Sequence, residues 1–413
     1  MSFCILALVI TGCIRDPIPY DFSDDIDLLV ADTLVYDIRS LTYQTPPEMG
    51  GYPSLYFGKD SAGYNCRFSM INIAKYSQDY SVLLMELTDT TTIVSLDSVF
   101  LVLTAKDTNL AISTAVYNLV NFPTGGSADS LFDEYTSNYL NLDTTRIVTG
   151  FGTPLASTVL QSDTATTYPY LKFDLSDALE FLTYFSDTSA TAHNRSFAVW
   201  KDEDGSGITE FFSRNAGSYR PRLQVHYLRS TEDDEYGNPI LDTLTKSFYP
   251  DADLTVIYPP ALTVDDTTNI TVGSAKGLKS ILTVGFADTS LPESAIIRSA
   301  KLTLWPAAGS ADDGDPTIGI YSIDTTVIED DRYYPVDPYE KLVDLADPTF
   351  SDGKVEFELR TLLQAVVLKQ AGNYGLKLYS TSANDPFRTF SFHPATGDTL
   401  YATPSLRILY VIP

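Results

Sequence analysis

The sequence predicts an all-β protein made of two tandem antiparallel β-sandwich modules of jelly-roll-like form, each with one short helix. Short runs of alternating or apolar residues recur between clusters of Gly, Pro, Asn, Asp and Ser, which is typical of sandwiches. The 27 Tyr and 21 Phe also favour strands. Finally, one strand-like ending occurs twice, which indicates two copies of one module. It reads FFSRNAGSYRPRLQVHYL at residues 211–228 and FSFHPATGDTLYATPSLRILYVI at residues 390–412.

The first predicted module spans residues 35–228. Its helix is expected at residues 177–185, where Asp174 or Ser176 could cap an amphipathic stretch. The alternating patterns predict strands at residues 54–58, 65–73, 94–103, 170–173, 196–201, 208–213 and 222–227.

The second predicted module spans residues 243–413 and repeats the same order. A charged segment at residues 229–242 is expected to link the two modules. Thr361 is the predicted cap of a helix over residues 362–369. The corresponding strands are predicted at residues 269–273, 280–286, 299–305, 354–359, 374–379 and 408–410.

Residues 1–12 have the features of an export signal, since the apolar run at residues 3–12 is too short to cross a bilayer. The ending Ile10-Thr11-Gly12-Cys13 resembles a bacterial lipobox, which predicts acylation of Cys13. Residues 13–34 would then form an extended tether. The expected location is the bacterial cell envelope, lipid-anchored to the outer membrane on its periplasmic or extracellular face. The alternative is an ordinary secretory signal with an unmodified cysteine.

The formal net charge of −27 disfavours nucleic acid and anionic membrane surfaces as partners. The lipid anchor is therefore the only membrane contact that we predict. Cys66 stands alone in a predicted strand and is interpreted as a small buried hydrophobe.

Two short motifs carry a family resemblance. Residues 212–214 read Phe-Ser-Arg and residues 220–223 read Arg-Pro-Arg-Leu. Together with the Ile-Thr-Val-Gly strand at residues 270–273, they resemble the DNRLRE, or disaggregatase-related, domain family. The resemblance covers about residues 35–228 and again 243–411. It implies a jelly-roll-like sandwich that acts as a carbohydrate-binding accessory module. In the second copy the arginine is missing from residues 390–393.

Residues 202–210 predict a structural calcium site. Oxygen ligands alternate around a glycine turn, as Ca²⁺ prefers, although the bidentate glutamate of an EF-hand is absent. The alternative is a polar hairpin tip without metal. The predicted ligands are Asp202, Asp204, Ser206, the backbone carbonyl of Ile208, and Glu210.

Polysaccharide binding requires aromatic faces and polar groups on a rigid surface. Trp200 precedes one candidate, Lys201, and the two side chains must face opposite sides of their strand. The alternative is that these residues serve core and loop packing. The sequence leaves open whether the glycan is neutral or acidic. The predicted ligand-binding residues are Lys201, Arg214, Tyr333, Tyr334 and Tyr339.

No motif for catalysis is found, and only three histidines are present. The sequence therefore predicts a non-catalytic, lipid-anchored protein that binds polysaccharide through tandem sandwiches. The alternative is a structural or adhesive spacer without a sugar site, and a polysaccharide-degrading enzyme is the weaker third possibility.

Overall fold

A computed structural model shows the predicted all-β sandwich architecture, in which the ladders between strands are antiparallel. The leader, Cys13 and most of the predicted tether lie outside the described residues. The structure describes residues 29–73, 93–110, 114–121, 132–142, 153–162, 166–176, 196–202, 207–233, 235–285, 291–307, 317–324, 331–339, 341–344, 348–394 and 403–412.

Each strand predicted from the alternation is present within a few residues. The first part of the chain forms β1 (Leu29–Val35), β2 (Ile38–Gln44), β3 (Ser54–Lys59), β4 (Asn65–Ile73), β5 (Ile93–Thr104), β6 (Val116–Asn121), β7 (Ala156–Val159), β8 (Tyr170–Asp174), β9 (Ser196–Lys201), β10 (Thr209–Phe212), β11 (Arg222–Asp233), β12 (Pro239–Phe248) and β13 (Pro250–Tyr258). The second part forms α1 (Val264–Thr268), β14 (Ile270–Val272), β15 (Leu278–Val284), β16 (Ile296–Leu304), β17 (Ile318–Ile323), β18 (Lys341–Asp344), β19 (Thr349–Ser351), β20 (Lys354–Glu358), α2 (Arg360–Val367), β21 (Leu376–Ser380), β22 (Phe390–Phe392) and β23 (Ser405–Ile412).

The first sandwich consists of β3 to β13. One sheet has the order β10-β3-β4-β9-β6-β7, with β13 paired to β4, and the other has the order β12-β11-β5-β8. Their facing side chains form the core, which contains the fully buried Phe57, Phe173, Phe211 and Leu223. Cys66 is buried as expected.

The second sandwich consists of β1, β2 and β14 to β23. Its sheets have the orders β1-β23-β16-β20-β19 and β18-β17-β21-β15-β2, and β14 pairs with β22. Val35 and Ile38, from the start of the described chain, pack in the same core as Phe357 and Ile408. The second sandwich is therefore discontinuous in sequence.

This arrangement corrects the predicted domain boundaries. Residues 29–34, expected in the tether, belong to β1, which pairs with β23, while β2 pairs with β15. Residues 229–242, expected as a linker, lie mostly in the β11–β12 hairpin. Residues 250–258 form β13 in the first sandwich, although they were assigned to the second module. The boundaries failed because pairing between distant strands leaves no local signal.

A buried hydroxyl pair shows that the two sandwiches are equivalent. In the first, Thr255 of β13 is paired with Ser69 of β4, and their hydroxyl oxygens are 2.9 Å apart. In the second, Thr42 of β2 is paired with Ser280 of β15 at 2.8 Å. Both threonines also accept a backbone N–H, from Tyr56 and Thr271 respectively. Through its threonine, β13 is linked to both β4 and β3 in the first sandwich. In the same way, β2 is linked to both β15 and β14 in the second.

The helices agree only in part with prediction. The helix over residues 362–369 is confirmed as α2, but it begins two residues earlier, after Leu359, and has no side-chain cap. The unpredicted α1 is held by a capping box between Thr263 and Asp266. The helix expected at residues 177–185 lies outside the described residues.

Removal of residues 1–47 should unfold the second sandwich and leave the first folded, because β1 and β2 are lost from two sheets. A chain starting at Leu29 is the control and should unfold like the full chain. Limited proteolysis with mass spectrometry would identify the fragment that remains. Equal protease resistance of residues 264–412 in both shortened chains would contradict the assignment of β1 and β2.

Leu223→Ala should lower the free energy of unfolding of the first sandwich by about 2–5 kcal/mol, because it leaves a cavity in a closed core. Leu223 is completely buried in β11. Chemical denaturation would measure the change. Leu409→Ala, in the equivalent closing strand β23 but on an exposed position, should cost far less.

Candidate functional site

The outer face of the β12-β11-β5-β8 sheet carries two cations in one row. Alternation along β5 turns Leu101 and Leu103 into the core and Val102 outward. Val102 is paired with Arg222 on one side and with Lys172 on the other. With strands spaced about 4.8 Å apart, the backbones of the two cations are about 10 Å apart. An extended polyanion can bridge such a span.

An aromatic wall borders this row. Tyr219 stacks on Phe212 with ring centroids 5.5 Å apart and an interplanar angle of 28°. Tyr168 contacts both, at 4.8 Å from Tyr219 and 5.5 Å from Phe212. Tyr219 remains 48% exposed. The wall therefore presents an aromatic face, the element on which a sugar ring stacks.

Tyr219 adopts a strained backbone conformation, with a φ of 60°. A bulky residue in this left-handed region is an outlier, and such strain costs on the order of 1–3 kcal/mol. The strain is maintained by the ring contacts to Phe212 and Tyr168. Residues under such strain concentrate at binding and catalytic sites.

The row and the wall enclose an open groove with a volume of about 330 Å³. Hydrogen-bonding groups from Thr104, Thr167 and Gln224 also line it. Within the described residues, no carboxylate lines the groove or forms an ion pair with Lys172 or Arg222. Lys172 instead lies over the ring of Phe100, with its Nζ 3.6 Å from the centroid. A chain of net charge −27 thus has a cationic groove.

The described residues of the second sandwich carry different side chains in the equivalent row. Register places Thr303 where the first sandwich has Val102, flanked by Ser405 and Glu356. A serine therefore replaces Arg222, and a glutamate replaces Lys172. The glutamate is paired with Lys354 at 2.6 Å and with Lys301 at 3.5 Å, so this row does not present free cations.

Arg214, a predicted ligand residue, is an internal structural group. Its guanidinium donates two hydrogen bonds to Glu134, from Nε at 2.7 Å and from Nη2 at 2.5 Å. Its backbone N–H donates to Asp253 at 2.8 Å. Glu134 and Asp253 are both buried. Arg214 therefore fastens the segment of residues 132–142 to the first sandwich.

Lys201 is also buried, and it lies on the side of β9 opposite to Trp200, as alternation requires. Tyr334 and Tyr339 are buried around Tyr43, with ring centroids 5.6 Å and 5.2 Å from it. Only Tyr333 is exposed, and its hydroxyl shares a 2.8 Å hydrogen bond with Tyr139. The structure thus does not bring the predicted ligand residues onto one surface.

The predicted calcium loop is described only at its edges, since Asp204 and Ser206 lie outside the described residues. Asp202 accepts a hydrogen bond from Asn118 at 2.8 Å. Glu210 accepts one from Lys106 at 2.7 Å and one from Ser54 at 2.5 Å. Ile208 packs against a hydrophobic cluster through its side chain. Among the described residues no group of three acidic, His or Cys side chains could hold a metal, and calcium stays a prediction.

The groove residues were missed by the prediction, although the signal was partly there. Alternation along the closing strand places Arg222 and Gln224 on the face opposite to Leu223. Lys172 follows by the same argument from Leu171 and Phe173. The position of Tyr168 and Tyr219 beside this row depends on loop conformation, which the pattern does not encode.

No helix in the described part of the chain is long and apolar enough to cross a membrane. No model of a protein family and no curated protein matches this chain. Among solved structures, a chain from "Structure of the Macrobrachium rosenbergii Nodavirus" is 11% identical, and the match covers 99% of this chain and 96% of that one. The TM-score of 0.19 is too low to support any conclusion about fold or function.

Asp253→Asn should remove part of the pH dependence of stability. Burial raises the pKa of Asp253 to about 7. Between pH 4 and 7 the folded protein therefore holds a proton that the unfolded chain has released, so stability falls as pH rises through this interval. The contribution is about 4 kcal/mol at most. Denaturation at pH 4.5 and 7.5 would measure it, and an unchanged difference between the two pH values in Asp253→Asn would contradict the assignment.

Proposed function

We propose that this protein binds an acidic polysaccharide without catalysis, through the groove on the first sandwich. The observation that carries the proposal is the row of Arg222 and Lys172 beside the Tyr219 wall, with no carboxylate among the described lining residues. Uronate or sulfate groups along a glycan would neutralise the two cations, while a sugar ring stacks on Tyr219. The proposal includes anchoring to a bacterial outer membrane through acylated Cys13, for which the apolar leader and its lipobox-like ending are the support.

The charge of the groove favours an acidic glycan over a neutral one. A polyanion is repelled by a protein of net charge −27 unless cations lie at the contact. The repulsion also predicts that added salt has two opposing effects: it screens the unfavourable field at long range and the favourable groove contacts at short range. The different row in the second sandwich supports a single groove of this kind within the described residues.

Binding should weaken when Lys172 or Arg222 of the groove is replaced by the residue at the equivalent position of the second sandwich. Lys172→Glu and Arg222→Ser should each weaken binding to an acidic polysaccharide by about tenfold or more, because a hydrogen bond to a charged group contributes about 1.5–3 kcal/mol. Affinity electrophoresis in gels with polygalacturonate, a sulfated galactan or a neutral glucan would compare them. Glu356→Lys, the reverse change in the second sandwich, is the matched control and should not weaken binding.

Equal retardation of the wild type and both groove variants by polygalacturonate would place the site elsewhere. Preferential binding of the neutral glucan would contradict the acidic class. Absence of binding to every glycan would favour the alternative of a structural spacer.

Tyr219→Gly and Tyr219→Ala should distinguish the contribution of the Tyr219 ring to binding from the effect of its backbone strain on stability. Both remove the stacking face, so both should reduce glycan binding by a similar factor of about 5 to 100. Glycine adopts a φ of 60° freely, so Tyr219→Gly should be more stable than Tyr219→Ala by about 1 kcal/mol. Thermal unfolding and affinity electrophoresis would measure the two effects. Full binding by either variant would exclude the aromatic wall from the site.

A further inference from the structure

A second, larger cavity lies where the two sandwiches meet, with a volume of about 720 Å³. Tyr52 and Thr136 line it from segments next to the first sandwich, and Lys279, Lys377 and Tyr379 line it from the second. Its volume is within the range of small-molecule sites. It shares no lining residue with the cationic groove.

The cavity is bordered by two lysines that share one carboxylate. Lys279 donates to Oδ2 of Asp337 at 2.6 Å, and Lys377 donates to the same oxygen. Lys377 also donates to the carbonyl oxygen of Tyr339 at 3.1 Å. The other oxygen of Asp337, Oδ1, accepts from the Tyr43 hydroxyl and from the backbone N–H of Tyr339, both at 3.1 Å. Both oxygens of Asp337 therefore already accept two hydrogen bonds each, and the trio of ionised groups has a net charge of +1.

Comparison with the first sandwich indicates that the fold shared by the two sandwiches does not require lysines at these two positions. The shared register of Ser69 and Ser280 places Phe68 at the position of Lys279. By the same register Ala198 corresponds to Lys377, because Ala198 pairs with Met70 and Lys377 pairs with Ile281. In the first sandwich both positions belong to an apolar cluster that packs against the covering segment at residues 132–142. One buried cation, Lys377, and one half-buried cation, Lys279, thus replace apolar residues on an otherwise equivalent face.

The electrostatics of the cavity favour the binding of an anion. Burial, followed by repulsion from Lys279, lowers the pKa of Lys377 to about 8. Glu48 lines the same cavity, and burial raises the pKa of its carboxyl group. Within the described residues no hydrogen bond or ion pair joins Glu48 to Lys279 or Lys377. Lys279 is accessible to a ligand because its side chain is 22% exposed.

We propose that this cavity is a second binding site, which takes the carboxylate of a small organic acid or of a single sugar acid against Lys279. The ligand carboxylate accepts from the Lys279 ammonium and compensates the excess charge of the trio. The tyrosines and hydroxyls of the cavity wall contact the rest of the molecule. The site is independent of the groove, and a ligand in it contacts segments of both sandwiches.

Ligand-detected NMR on the full chain with acetate, glucuronate and glucose tests this proposal. Acetate and glucuronate should give saturation-transfer signals, and glucose should give none. Acetate binding as well as glucuronate would indicate a small-acid site, and stronger binding of glucuronate would indicate a sugar-acid site. Lys279→Met keeps the length of the side chain and leaves the Lys377–Asp337 pair neutral, so it should weaken both acids at least tenfold. Lys172→Met in the groove should retain a signal from both acids, because the cavity is intact. Lys301→Met, at an exposed lysine outside the cavity and the groove, is the matched control and should leave both signals unchanged.

Asp337→Asn gives an outcome of opposite sign, because it removes the carboxylate that competes with the ligand. Its affinity for glucuronate should rise, and glucuronate should raise its melting temperature more than that of the wild type. Unchanged acid binding in Lys279→Met would overturn the proposal. Loss of binding in Lys172→Met would also overturn it, because the acids would then occupy the groove. If Asp337→Asn fails to fold, Lys279→Met still decides the question.

Discussion

Each sandwich contains a strand that is fixed to its neighbour by a buried threonine–serine pair. Thr255 fixes β13 to β4, and Thr42 fixes β2 to β15. A buried hydroxyl without a partner costs free energy, so each pair favours the register in which both hydroxyls meet. In the first sandwich, β13 forms part of the outer face on which residues 132–142 pack. In the second, β2 forms part of the outer face on which residues 331–339 pack. The core, the register and the covering segment all follow from this constraint.

The sequence predicts the strands and their faces well, because alternation is local. The cores around Leu223 and Phe357 agree with it. The choice of partner strand is a different problem. Leu41-Thr42 and Leu254-Thr255 occupy the same register against their partners, so the local pattern is nearly the same for either pairing. Only packing over the whole chain decides which copy each strand completes, and the predicted module boundaries were wrong for that reason.

The candidate site was predictable to a smaller extent. Arg214 is predicted as a ligand residue as part of the Phe-Ser-Arg motif, but its partner Glu134 is 80 residues away, where no local pattern indicates the pairing. Tyr334 and Tyr339 resembled a sugar platform, but they are needed to cover the outer face of the second sandwich. Cations without a carboxylate partner became recognisable only once the register had aligned Arg222 with Lys172 across β5. The local sequence pattern contains no information about such pairing between strands that are distant in the chain.

The pairing of β1 with β23 places Leu29 opposite Ile412 and joins Asp32 to Arg407 across 375 residues. During synthesis the first sandwich has all its strands once residue 258 is available, whereas β2 must wait for β15 and β1 must wait for β23. A waiting pair of strands has open edges, to which other chains can add. Bringing such distant segments together is also slow, although the entropy of loop closure grows only with the logarithm of loop length. The order of synthesis therefore makes the second sandwich the slow step of folding and the point at which nascent chains are most exposed to mispairing.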